Sequence, residues 1–235
     1  MTQPKPPIAR SRKAKPAVKA LVVLVIAVVL GGGLYLQLRN NRAEADGYGP
    51  PRTAARISAP GVVTLGAANA PHTVDVYEDP LCPFCAQFEK RFGQLLAKAI
   101  DEGKAKVNYH LLTFLDAKSK TGDYSTRAAA AMLCATKVTG TSFGRLHEHL
   151  MAPDNQPSEN GSTDRTNDEL IRFAFDAGAG PDFGKCLLDG TFQAELRDTT
   201  AAVRPTIPGT PSVRIDGRLV APGDLTDGDW AEPLR

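Results

Sequence analysis

Apolar residues along the chain fall into three kinds of pattern. The first is an unbroken run, Ala20–Leu36, with no charged side chain. The second is alternation. Thr73–Tyr77 reads apolar–polar–apolar and predicts a strand, as do Val62–Leu65 and Lys106–Phe114. The third is helical recurrence. Phe84, Phe88, Phe92, Leu95, Leu96 and Ala99 share one face of a helix predicted over Pro83–Ile100, with Gly103 as its stop. Further helices are predicted at Ser125–Thr139, Thr141–Met151, Phe183–Leu188 and Phe192–Val203. Another opens at Thr166, which forms a capping-box pattern with Glu169, and runs to Phe175. Ser212–Ile215 and Arg218–Val220 predict a hairpin around Asp216-Gly217, and Asp224–Trp230 a terminal helix.

The predicted order is β-β-α-β, a helical block, then β-β and α. This is an α/β layout with a mixed sheet, interrupted by helices. Residues 39–60 are polar and rich in Gly, Pro, Arg and Ala, which predicts a linker. The folded domain is expected at 61–235, with the helical insertion at about 115–204.

Charge changes the reading of the apolar run. Residues 1–19 hold Lys5, Arg10, Arg12, Lys13, Lys15 and Lys19 and no acid, while the rest of the chain carries 22 of the 28 basic and all 26 acidic residues, net −4. A membrane span needs roughly 20 mostly apolar residues. A transmembrane anchor is therefore expected at 20–38, with 1–19 as a cytoplasmic basic segment and the catalytic domain extracytoplasmic. A cleaved signal peptide is the competing reading. Ala43–Ala45 offers a cleavage pattern, but the apolar core is long and Arg39 and Arg42 crowd the site. The mildly acidic remainder gives no electrostatic reason for nucleic-acid binding.

All four cysteines follow the anchor: Cys82, Cys85, Cys134 and Cys186. Cys82-Pro83-Phe84-Cys85 lies at the joint between a predicted strand and a predicted helix. At a helix N-terminus, free amides and the helix dipole favour a thiolate. Pro83 suits the first helical position, where its missing N–H is no loss. Cys82 is thus the candidate nucleophile, and Cys85, further inside the helix, the candidate resolving thiol. A zinc site, an inert structural disulfide and a relative that kept the motif but lost turnover are the rival readings; against zinc, Cys134 and Cys186 are 52 residues apart and no histidine pair has finger spacing.

Val74–Cys85 (VDVYEDPLCPFC), Gly209-Thr210-Pro211-Ser212-Val213 and the Asp216-Gly217 hairpin together resemble the DsbA-like branch of the thioredoxin superfamily, over about 60–225. The resemblance implies a thioredoxin-like fold with an inserted helical domain and no metal or organic cofactor. It also implies that Pro211 is a cis-proline facing the cysteines, with the Thr210 backbone open to a substrate chain. Two departures stand out. Relatives commonly place a buried acid six residues before the first cysteine, where this chain has Val76. Asp75, Glu78 and Asp79 are near, but strand alternation makes none an automatic substitute. Phe84 stands where enterobacterial DsbA enzymes carry histidine, which predicts a weaker oxidant than those enzymes.

Cys134 and Cys186 fall on two predicted helices of the block. A structural disulfide is the favoured reading, with buried free thiols or a second redox relay as alternatives. His147-Glu148-His149 is read as solvated helix surface, His110 as packing or surface, Trp230 as packing, and Asp154–Asp168 as a mobile loop.

The expected activity is dithiol–disulfide exchange, most simply oxidation of cysteine-containing exported proteins, with a membrane redox partner for reoxidation. A reductase or isomerase is the first rival. A membrane-tethered peptide-binding or chaperone module without turnover is the second.

Overall fold

A computed structural model describes residues 47–235. The expected cytoplasmic segment, the anchor at 20–38 and the first part of the linker lie outside them. Among the described residues no helix is long and apolar enough to cross a membrane.

Six strands form one mixed sheet in the order β1-β2-β4-β3-β5-β6. They span Arg56–Ala59, Val62–Leu65, His72–Glu78, Ala105–Leu111, Ser212–Ile215 and Arg218–Leu219, numbered β1 to β6 along the chain. Only β3 and β4 run parallel. They are joined by helix α1, Pro83–Asp101, in a βαβ unit. Alternation in β4 buries Ala105, Val107, Tyr109 and Leu111. The helical repeat of α1 buries Cys85, Phe88, Phe92 and Leu96. Between β2 and β3, Gly66 passes so close to β4 that a Cβ there would collide with the Ala105 carbonyl oxygen. Its φ of +92° is also one that side chains disfavour.

Between β4 and β5 come α2 (Tyr124–Val138), α3 (Ser142–Met151), α4 (Asn167–Asp176), α5 (Phe183–Leu188) and α6 (Gln193–Val203). Helix α2 is the hub, packed by α3, α4, α5 and α6. Ala128–Ala131 are at most 1% exposed, and their small side chains let neighbouring helices approach closely. The capping box opens α4 as the sequence predicts: the Glu169 amide donates to Thr166 Oγ1, and the Thr166 amide to Glu169 Oε2.

Three expectations need correction. The linker is shorter than 39–60, because Arg56–Ala59 pairs with β2 as an edge strand. Ahead of it, Tyr48, Arg52 and Thr53 all donate to the Asp101 carboxylate at the end of α1. Strand β4 stops at Leu111, three residues early. The terminal helix breaks at Gly228, whose φ of +85° ends α7 (Asp224–Asp227) before a 3-10 turn at Asp229–Leu234. Trp230 packs there as expected, against Phe88 and Phe92 with ring centroids 6.0 and 5.2 Å away.

Candidate active site

Strand β3 ends at Glu78, and four residues later Cys82 caps α1 with Pro83 in its first turn. Asp79 fixes that connection. Its carboxylate accepts from the Leu81 amide at 2.8 Å, the Leu115 amide at 2.9 Å and Ser125 Oγ at 2.6 Å. Its backbone carbonyl accepts from the Cys82 amide at 2.9 Å. Burial nevertheless pushes the Asp79 carboxyl up to about 7, against those three donors.

Cys82 Sγ donates to the Thr210 carbonyl oxygen at 3.4 Å, and the Thr210–Pro211 bond is cis. The thiol is pulled down to about 6. Donation from Cys85 is the main cause. The Thr210 side chain and the amides of Cys85 and Phe84 assist, outweighing burial. Cys85 behaves oppositely. It is fully buried, and burial first, then its hydrogen bond to Cys82, hold its thiol well above the ordinary range. Both are free thiols here. Alkylation of the reduced protein by iodoacetamide is therefore expected to titrate with a midpoint at about 6, on Cys82. A midpoint in the ordinary thiol range of roughly 8.5 would contradict this assignment.

Phe84 is 66% exposed, an unusual state for phenylalanine. It forms one rim of a groove of about 450 Å³ that also takes in Phe88, Phe92, Thr210, Pro211 and Leu225. On the other side, the stretch expected to be mobile is tied down. Gln156 donates to the carbonyls of Pro80 at 2.7 Å and Cys82 at 3.2 Å. Glu159 pairs with Lys118, and Asp164 accepts from the amides of Lys120 and Thr121. Lys118 is also held up in pKa, by Glu159 chiefly and to a smaller degree by Cys82. Gln156 is a site residue that the sequence reading missed; nothing in its polar loop marks which side chain turns inward.

The sequence reading also missed a buried polar cluster. His147 is buried, not surface: its Nε2 lies 2.6 Å from Glu78 Oε1, and its Nδ1 4.0 Å from Glu89 Oε2. Two residues apart on α3, His147 and His149 indeed diverge, but it is His147 that faces the core. Burial opposes its protonation, yet the flanking Glu78 and Glu89 raise it to about 9. Val76 is buried and occupies the expected acid position, while Glu78 shares its strand face two residues on. That parity was the available signal. His110 contacts Asp75 at 3.0 Å and stacks on Tyr77.

Cys134 on α2 and Cys186 on α5 are joined in a disulfide, apart from Cys82 and Cys85.

A family model described as thioredoxin matches residues 58–231. The serine/threonine-protein kinase PknE of Mycobacterium tuberculosis is 32% identical over 178 residues, which make up 73% of this chain but 31% of that protein. The chain thus spans less than a third of the curated relatives it matches. Oxidised DsbA of M. tuberculosis superposes with a TM-score of 0.64 at 31% identity, covering 74% of this chain and 92% of that one. MdbA, a thiol-disulfide oxidoreductase from Corynebacterium diphtheriae, gives 0.64 at 25% identity, covering 82% and 99%.

Proposed function

We propose, for a chain that belongs to the thioredoxin family in its DsbA-like form and is a protein dithiol–disulfide oxidoreductase, that it oxidises cysteine pairs of exported proteins from a membrane-anchored position. The observation that carries this reading is the placement of Cys82 at the start of α1, beside the Thr210 carbonyl, with Cys85 one turn inside. Anchoring rests on the apolar run Ala20–Leu36 and the basic residues before it.

In the forward reaction a substrate thiolate attacks Cys82 Sγ of the oxidised pair. The Cys82–Cys85 bond breaks, and Cys85 leaves as a thiolate and takes up a proton. A second substrate thiolate then attacks the substrate sulfur of the mixed disulfide. Cys82 departs as a thiolate, the substrate leaves with its disulfide, and the enzyme holds two more electrons. A membrane redox partner removes them. The low pKa of Cys82 makes it a good leaving group and stabilises the reduced enzyme, so electrons flow toward this protein. In the mixed disulfide Cys82 has no proton to donate, which frees the Thr210 carbonyl for an amide of the substrate chain. The apolar groove beside Phe84 suits the hydrophobic side chains that unfolded substrates expose.

Cys82 ionises at about 6 in the folded dithiol and at roughly 8.5 when unfolded. Its contribution to stability is fully present above the unfolded value and is lost as pH falls through the folded one. The reduced form is expected to gain on the oxidised form as pH climbs across that window, measured by urea unfolding of both on either side of it. An unchanging difference would contradict the thiolate's role.

Replacing Cys85 by alanine tests the direction of electron flow. Covalent capture of thiol-rich exported proteins on Cys82 is the expected result. Capture of a dedicated electron donor instead would overturn oxidation in favour of a reductive role.

A further inference from the structure

One turn along α1 from Cys85, on the same face, stands Glu89, and with Glu78 and His147 it closes a polar cluster inside an apolar core. We propose that Glu78, Glu89 and His147 bind one divalent cation of the zinc or manganese class. The proposal goes beyond the redox reading and does not depend on it.

Three elements supply the donors: β3, α1 and α3. One ligand atom from each residue lies within 4.8 Å of the others. Ligands bound to zinc at about 2.0–2.2 Å in tetrahedral array stand about 3.5 Å apart, so Glu78 and His147, now 2.6 Å apart at Nε2, must separate, and Glu89, now beside Nδ1, must turn toward the same ring nitrogen. The Glu78 and His147 side chains are 0% and 6% exposed, and Glu89 is 8%.

The hydrogen-bond inventory is incomplete without a further partner. Glu78 Oε1 faces His147, but Glu78 Oε2 and Glu89 Oε1 are buried with nothing to bond. Among the described residues, the only ion-pair partner either carboxylate has is this one histidine. Two ionised carboxylates sharing one imidazolium would leave a buried negative charge; burial pushes Glu89 up to about 8, so near neutral pH a proton takes up that charge while the two oxygens stay orphaned. A dication with neutral imidazole balances that charge and occupies the free lone pairs. One imidazole with two carboxylates is a donor set between the nitrogen-rich and all-oxygen extremes, which suits zinc or manganese better than magnesium.

There is also an approach. A cavity of about 270 Å³ is lined by Glu89 and His147, with Glu148 and Asp154 among its other lining residues.

The test uses the oxidised protein, in which both cysteine pairs are closed and no thiol competes. Titration with Zn²⁺ in a calorimeter is expected to show one equivalent bound, with affinity at least tenfold weaker in Glu89→Gln and in His147→Gln. Should either variant fail to fold, Mn²⁺ added to the wild-type protein supplies the second measurement. It should broaden the ring resonances of His147 and of neighbouring Tyr109 and Phe143 most strongly, and that of His72, at the opposite end of β3 from Glu78, least. No saturable binding, equal binding by folded variants, or broadening centred elsewhere would overturn the proposal and leave the carboxylates held by protons.

Discussion

Replacing Cys82 by serine is expected to reduce oxidation of a dithiol peptide by at least about a thousandfold while leaving the fold intact. The reason is that no other sulfur can take its place. Cys85 is 0% exposed and held protonated by burial, and Cys134 and Cys186 are bonded to each other. Serine is nearly the size of cysteine, so the Asp79 hydrogen bonds and the start of α1 should persist. A hydroxyl, however, neither forms a disulfide nor ionises near neutral pH. The complementary replacement, Cys85→Ser, keeps the Cys82 thiolate but removes the thiol that would expel a bound partner, so mixed disulfides formed when Cys82 attacks a substrate disulfide should accumulate. Oxidation by Cys82→Ser within tenfold of wild type would mean that the exchange does not run through this pair.

The second large effect concerns stability. Converting Cys134 and Cys186 together to alanine should destabilise the domain by about 4 kcal/mol, the loop-closure entropy of a bridge of this sequence separation. The bridge ties α2, the hub of the helical insertion, to α5, a helix of only six residues. Short helices gain most of their stability from tertiary contact, so α5 should be the first element to open. Urea unfolding with the Cys82–Cys85 pair kept oxidised measures the loss. Exchange activity at low temperature should survive, because neither α2 nor α5 carries the reactive thiols. A loss under about 1 kcal/mol would show that the unfolded chain is already compact around these helices.

What the sequence made legible was local. The alternation of Thr73–Tyr77, the helical repeat after Pro83 and the Asp216-Gly217 turn each carry their signal within a few residues, and each marks an element that forms. The strand-to-helix joint that gives Cys82 its reactivity was therefore readable. Strand β1 was not. It is four residues long, mostly exposed, and defined by pairing with β2 more than by its own pattern. The Glu78–Glu89–His147 cluster was hidden for a different reason. Its members are up to 69 residues apart and meet only once three elements have packed. A histidine flanked by Glu148 and His149 resembles solvated surface until the helix is rotated into place. The docking of Gln156 on the Cys82 carbonyl belongs to the same class, being a contact set by a loop's path and not by its composition.

On the proposed function, the Cys82–Cys85 pair is an oxidant because Cys82 is stabilised as a thiolate. Equilibration with glutathione redox buffers, followed by quantifying the oxidised fraction, tests that claim most directly. The predicted reduction potential lies between about −200 and −120 mV, above glutaredoxin-like values and below that of the strongest DsbA oxidant, as Phe84 in place of histidine implies. A potential near −270 mV, the thioredoxin value, would contradict the claim and make the protein a reductant.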